Sequence, residues 1–92
     1  MNNNLSLYNI FLAVAEAGST LGAAKTLFIS QPAVSKAISK LEASLEVSLF
    51  VRSKKGVRLT DDGLILYDRI KNAFEYIDEG ESVFRVGDRL GA

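Results

Sequence analysis

The sequence contains no cysteine and no histidine. That removes disulfide frameworks, thiolate metal sites and the usual imidazole general base. Long apolar runs are missing too. The most hydrophobic stretch, LSLYNIFLAVAEA from Leu5, is interrupted by Glu16 and falls short of the roughly 20 residues a bilayer-spanning helix needs. No Lys or Arg precedes Lys25, so the stretch lacks the basic start of a secretory leader. It reads as a buried helix of a cytoplasmic protein with no membrane partner. Proline occurs once, at Pro32, where it falls in the first turn of a helix and removes no intrahelical hydrogen bond.

What is present fits one compact domain: 92 residues, 48% of them hydrophobic. The formal net charge of zero hides an asymmetry. Residues 19 to 60 carry seven bases against two acids, net +5, whereas residues 61 to 92 carry eight acids against four bases, net −4. A basic middle of this kind points to a polyanionic partner.

Apolar spacing supplies the elements. Leu7, Ile10, Phe11, Val14 and Ala15 mark a helix over about 5 to 17, which Gly18 is placed to end. Ser19 is a good N-cap for a short second helix, TLGAAKTLF, with Leu21, Ala24 and Leu27 on one side and the small pair Ala23 and Ala24 allowing close approach. Ser30 caps a third helix running to about 46, whose stripe is Val34, Ala37, Ile38, Leu41 and Leu45. LFVR and VRLT flank SKKG, in which Gly56 can supply a positive φ, so residues 49 to 60 read as a hairpin tipped by Lys54 and Lys55. Thr60, Asp61 and Asp62 then form an N-cap and an acidic first turn that complements the helix dipole. In the long last helix, Leu66, Ile70, Ala73, Ile77 and Phe84 alternate by fours and threes, Tyr67 and Phe74 widen the stripe, and Gly80 marks a fray or kink.

Three helices, a two-stranded hairpin and a long helix are the order of a mainly α, winged helix-turn-helix protein with a trailing dimerisation helix. The division expected is a DNA-binding domain over residues 1 to 60 and a linker or dimerisation helix and tail over 61 to 92.

The third helix is amphipathic in an unusual sense. Its outer face is Pro32, Ser35, Lys36, Ser39, Lys40 and Ala43, short or positive throughout. Such a helix fits a major groove about 12 Å wide, where base edges offer donors, acceptors and the thymine methyl. Gln31 can present a donor and an acceptor together to adenine, Pro32 and Ala33 can sit against a thymine methyl, and Ser30 and Ser35 suit phosphate. Lys36 and Lys40 add charge toward phosphate or guanine. On the hairpin, Arg52, Lys54, Lys55 and Arg58 can follow the backbone, with a tip lysine entering the minor groove.

Over residues 4 to 87 the sequence resembles the LysR-type transcriptional regulators. The resemblance is carried by FLAVAEAGS from Phe11, AAKTLFISQPAVSKAISKLE from Ala23, LFVR from Leu49 and GVRLTDDG from Gly56. It implies base contacts from Gln31, Pro32, Ala33, Ser35 and Lys36, a minor-groove role for Lys55 and backbone contact from Arg52. It also implies a homodimer through antiparallel last helices addressing a dyad-symmetric site on double-stranded DNA. The stripe Leu66, Ile70, Ala73, Phe74, Ile77 and Phe84 is the corresponding dimer surface. Such regulators continue into a two-lobed domain that binds a small-molecule effector, so this chain corresponds to their DNA-binding portion.

Three positions depart from the family pattern. Glu46 stands where glycine usually closes the third helix, so either Glu46 adopts the left-handed conformation or the helix ends otherwise. Asp62 replaces an alanine, and Lys36 replaces a common arginine, keeping charge but losing the bidentate fork. The bland alternatives are a basic solvated face, an acidic pair that only complements a dipole, and core positions for Tyr8, Phe11, Phe28 and Phe50. No nucleophile and base constellation accompanies the acidic pair, so no enzyme, cofactor or metal is expected. The competing function is a winged-helix module whose basic patch binds an acidic protein.

Overall fold

The computed structural model describes residues 5–85. The elements are α1 (Leu5–Ala17), α2 (Thr20–Leu27), α3 (Gln31–Leu45), β1 (Phe50–Ser53), β2 (Gly56–Leu59) and α4 (Asp61–Ser82). This is a winged helix-turn-helix with a long C-terminal helix.

Each junction has a local cause. Gly18, at φ +70°, ends α1, and its N–H donates to the Val14 carbonyl at 2.9 Å. Ser19, Ser30 and Thr60 cap α2, α3 and α4, their hydroxyls accepting from the N–H groups of Gly22, Ala33 and Gly63. Glu46 does take the left-handed conformation, at φ 59° and ψ 36°, and its N–H bonds the Glu42 carbonyl. The strands pair antiparallel with Phe50 opposite Leu59 and Ser53 opposite Gly56, which leaves Lys54 and Lys55 as the two-residue tip.

Phe11, Val14, Ala23, Ala24, Val34, Ile38, Leu41, Leu49, Phe50 and Ile70 form one core. The Phe11 and Phe50 rings lie 5.3 Å apart, centroid to centroid, tying α1 to the wing. Glu42 adds a polar tie: its Oε2 accepts from the N–H groups of Leu49 at 2.7 Å and Phe50 at 3.4 Å, fixing where β1 leaves α3. The wing is held from two further sides. The Val57 N–H donates to the Gly18 carbonyl at 3.0 Å, and the Thr60 hydroxyl donates to the Ser48 carbonyl at 2.6 Å. At Gly63 the backbone of α4 lies so close to the Leu49 carbonyl that a methyl group would overlap it.

The structure corrects several readings. On α2 the buried residues are Thr20, Ala23 and Ala24, while Leu21 is half exposed, so the inward face is rotated by a residue from the Leu21, Ala24, Leu27 side. Small side chains win that face because α1 and α3 approach closely there. Leu45, expected on the α3 stripe, is exposed at the helix end. Phe28, expected in the core with Tyr8, Phe11 and Phe50, is 93% exposed. It occupies the left-handed C-cap of α2 at φ 59°, a geometry that turns its side chain out of the helix-turn-helix. Helix α4 runs through Gly80 and stops two residues later.

Helix α4 is about 33 Å long, from 22 residues at 1.5 Å each, and accounts for an elongated outline of 49 × 27 × 21 Å. Ile70 is buried, and Leu66, Tyr67 and Phe74 pack partly against the core. The Tyr67 hydroxyl also donates to Glu16 at 3.2 Å. Beyond Phe74 the helix leaves the domain. Residues 86–92, the tail assigned to the second region, lie outside the described residues.

Candidate nucleic-acid interface

The start of α3 is built to stand clear of the core. Val34 is the first buried residue of the helix, so Ser30, Gln31, Pro32 and Ala33 project as one continuous exposed tip. Further along, Lys36, Ser39 and Lys40 are exposed and Ser35 is half-buried, whereas Ala37, Ile38 and Leu41 turn inward. The helix thus offers small, polar and cationic groups outward over its first two and a half turns.

The Gln31 side chain is not loose. Its Nε2 donates to the Thr20 hydroxyl oxygen at 3.0 Å. An amide has two N–H donors and a carbonyl, so this bond leaves one donor and the carbonyl free. Gln31 lines an open cleft together with Ser19, Leu21, Arg52 and Ser53. The start of α3 and the wing therefore line one cleft, Gln31 from the helix and Arg52 from β1.

Lys54 and Lys55 are exposed at the hairpin tip, and Arg52 and Arg58 on the strands. Among the described residues, the ion pairs are those of Arg85 with Asp78 and Glu81. No carboxylate there neutralises Lys36, Lys40, Arg52, Lys54, Lys55 or Arg58. Uncompensated cations on both α3 and the wing create a positive field over one end of the molecule. Of the seven acids of α4, Asp61, Asp62 and Asp68 are in its first half and Glu75, Asp78, Glu79 and Glu81 in its far half.

Among the described residues no group of three acids is placed to hold a metal ion, and no helix is long and apolar enough to cross a membrane.

Of the stripe read as a dimer surface, Ile70 is 7% exposed and belongs to the core of its own chain, and Leu66 and Phe74 are partly covered by that core. Ala73 and Ile77, the latter 47% exposed, face outward on α4, whereas Phe84, expected on the same helix, lies beyond its end at Ser82 and is 76% exposed. Sequence reasoning missed Thr20 and Glu42. Glu42 has a legible signal, an acid just inside a helix end before a strand. Thr20 has none, because its partner lies 11 residues away across a turn.

A family model described as "Bacterial regulatory helix-turn-helix protein, lysR family" matches residues 5–64. An uncharacterized HTH-type transcriptional regulator of Mycobacterium tuberculosis is 40% identical over 75 residues, which are 82% of this chain and 24% of that protein. The nitrogen assimilation regulatory protein of Klebsiella aerogenes is 33% identical over 88 residues, 95% of this chain and 29% of that one. The chain thus spans about a quarter of the length of these relatives. Among solved structures, the BenM DNA-binding domain in complex with benA site 1 DNA is similar at TM-score 0.81 and 31% identity, covering 90% of this chain and 94% of that one. The CbnR DNA-binding domain in its DNA complex gives TM-score 0.77 and 34% identity over 92% of this chain and all of that one. With helix order, wing and matched residues in agreement, the chain belongs to the LysR family of bacterial helix-turn-helix regulatory proteins.

Proposed function

We propose that this chain binds double-stranded DNA sequence-specifically, as the DNA-binding part of a dimeric cytoplasmic transcription regulator without enzymatic activity. The observation that carries the reading is the exposed tip Ser30 to Ala33, whose Gln31 lines one cleft with Arg52 of the wing. Gln31, Pro32, Ala33, Ser35 and Lys36 read bases in the major groove. Ser30 and Lys40 hold phosphate beside them, and Arg52, Lys54 and Lys55 follow the backbone into the minor groove. The similar BenM and CbnR DNA-binding domains, each in a complex with DNA, support DNA as the partner.

Dimerisation uses the free half of α4 and the turn that follows it. Ala73, Ile77 and Phe84 meet a second copy antiparallel, with Leu66, Ile70 and Phe74 supporting the helix from within. Two recognition helices then address a dyad-symmetric site, about 34 Å apart on one face of the duplex. We assign small-molecule effector binding to the part of a full-length regulator outside these residues.

Selection of bound fragments from random duplex DNA tests the whole reading. The expected result is an enriched inverted repeat, bound with a log affinity that falls linearly against log salt. Equal affinity for selected and scrambled duplexes would discard sequence-specific binding, and tight binding to an acidic protein instead would favour the competing module.

A further inference from the structure

We propose that Thr20 is a positioning residue for base recognition: its buried hydroxyl presets the amide of Gln31 before DNA arrives. This rests on the DNA-binding reading above and adds a residue from the second helix to its specificity.

Three observations meet at this pair. Thr20, 6% exposed, is the buried polar side chain of the described residues, and the Gln31 amide is the side-chain partner its hydroxyl has, at 3.0 Å. Its backbone is fixed, because Thr20 is the first residue of α2, directly after the Ser19 cap whose oxygen accepts from Gly22 at 2.8 Å. A β-branched side chain at a fixed backbone position has few rotamers, so the hydroxyl is a stationary anchor. Finally, Gln31 opens the third helix, is exposed, and lines the same cleft as Arg52, so the anchored amide is at the exposed end of the interface.

The physical consequence is preorganisation. A free glutamine has three rotatable side-chain bonds and loses rotamer freedom when it docks on a base edge. Here that freedom is already reduced. With Nε2 turned to Thr20, the carbonyl and the second N–H lie in a set plane, the donor and acceptor pair that an adenine edge accepts. The Thr20 hydroxyl can accept from Nε2 or donate to Oε1, so what it fixes is the place and plane of the amide; a base edge outside that plane requires the amide to leave Thr20, which leaves a buried hydroxyl without that partner. Thr20 thereby sharpens discrimination more than it raises affinity.

The test compares Thr20→Val, which keeps shape and branching but removes the acceptor, with Thr20→Ser, which keeps the hydroxyl. Binding is measured to the duplex enriched by the wild-type chain, to variants at each base pair, and to a scrambled duplex. Thr20→Val is expected to lower base preference about tenfold at the position Gln31 reads, with scrambled-duplex affinity within about twofold of wild type. Thr20→Ser is expected to restore the preference, and Thr20→Val is expected to have no further effect in a Gln31→Ala background. Unchanged preference in Thr20→Val, additive effects of the two substitutions, or a serine variant no better than valine would overturn the inference. A wild-type chain that prefers no duplex would instead overturn the DNA-binding reading beneath it.

Discussion

Helices α3 and α4 both carry an apolar stripe, and they differ in what is left over once the core is complete. In α3 the stripe of Val34, Ala37, Ile38 and Leu41 is buried, and what remains outside ahead of Leu45 at the helix end is small, polar or positive. In α4 the stripe is longer than the domain it packs on. Ile70 is enclosed, while Ile77, one heptad along, and Phe84, just past the helix end, stand in solvent. The leftover surface of α3 suits a wet, polyanionic groove, where water and phosphate are exchanged for hydroxyls and ammonium groups. That of α4 suits another protein surface, because only apolar contact rewards burying it.

The sharpest way to break this comparison is to treat Ile70 and Ile77 alike. Ile70→Ala removes buried methyl groups and should destabilise the fold by about 2–4 kcal/mol in urea unfolding at fixed protein concentration. Ile77→Glu should leave the secondary structure intact yet convert a dimer to a monomer in sedimentation. If both substitutions only unfold the chain, or if the wild type is already monomeric, the division of α4 into an inner and an outer half fails.

A smaller effect separates two polar neighbours on α3. Glu42 points inward and Lys40 outward. Glu42→Gln should cost about 1–2 kcal/mol, because the N–H groups of Leu49 and Phe50 lose a charge-assisted acceptor. Lys40→Ala should leave unfolding unchanged and weaken binding to every duplex, with the salt slope reduced by about one.

The smallest effect has the opposite sign. Phe28 holds a left-handed backbone while burying almost none of its ring, so Phe28→Gly should raise stability by about 0.5–1 kcal/mol, relief of strain outweighing the extra chain entropy. A rise in Tm checks it. A fall would mean the ring supports the turn after all.

Local features were the legible ones. Ser19, Ser30 and Thr60 declared the helix starts, Gly18 and Gly56 the reversals, and SKKG the wing, since caps and turns depend on residues a few positions apart. Glu46 showed from the sequence that the end of α3 was abnormal, and the structure gave which of two outcomes holds. The face of α2 was misread because hydrophobic spacing favours Leu21, whereas the close approach of α1 and α3 admits only Ala23, Ala24 and Thr20.

The order of elements, the positive middle of the chain and the exposed tip of α3 were therefore fixed by short-range patterns that any reader of the residues can recover. Which part of the last helix is enclosed, where Phe28 points and which hydroxyl holds Gln31 were decided only when the helices packed. Periodicity says that residues share a side; it does not say what covers that side, because the covering atoms come from elsewhere in the chain.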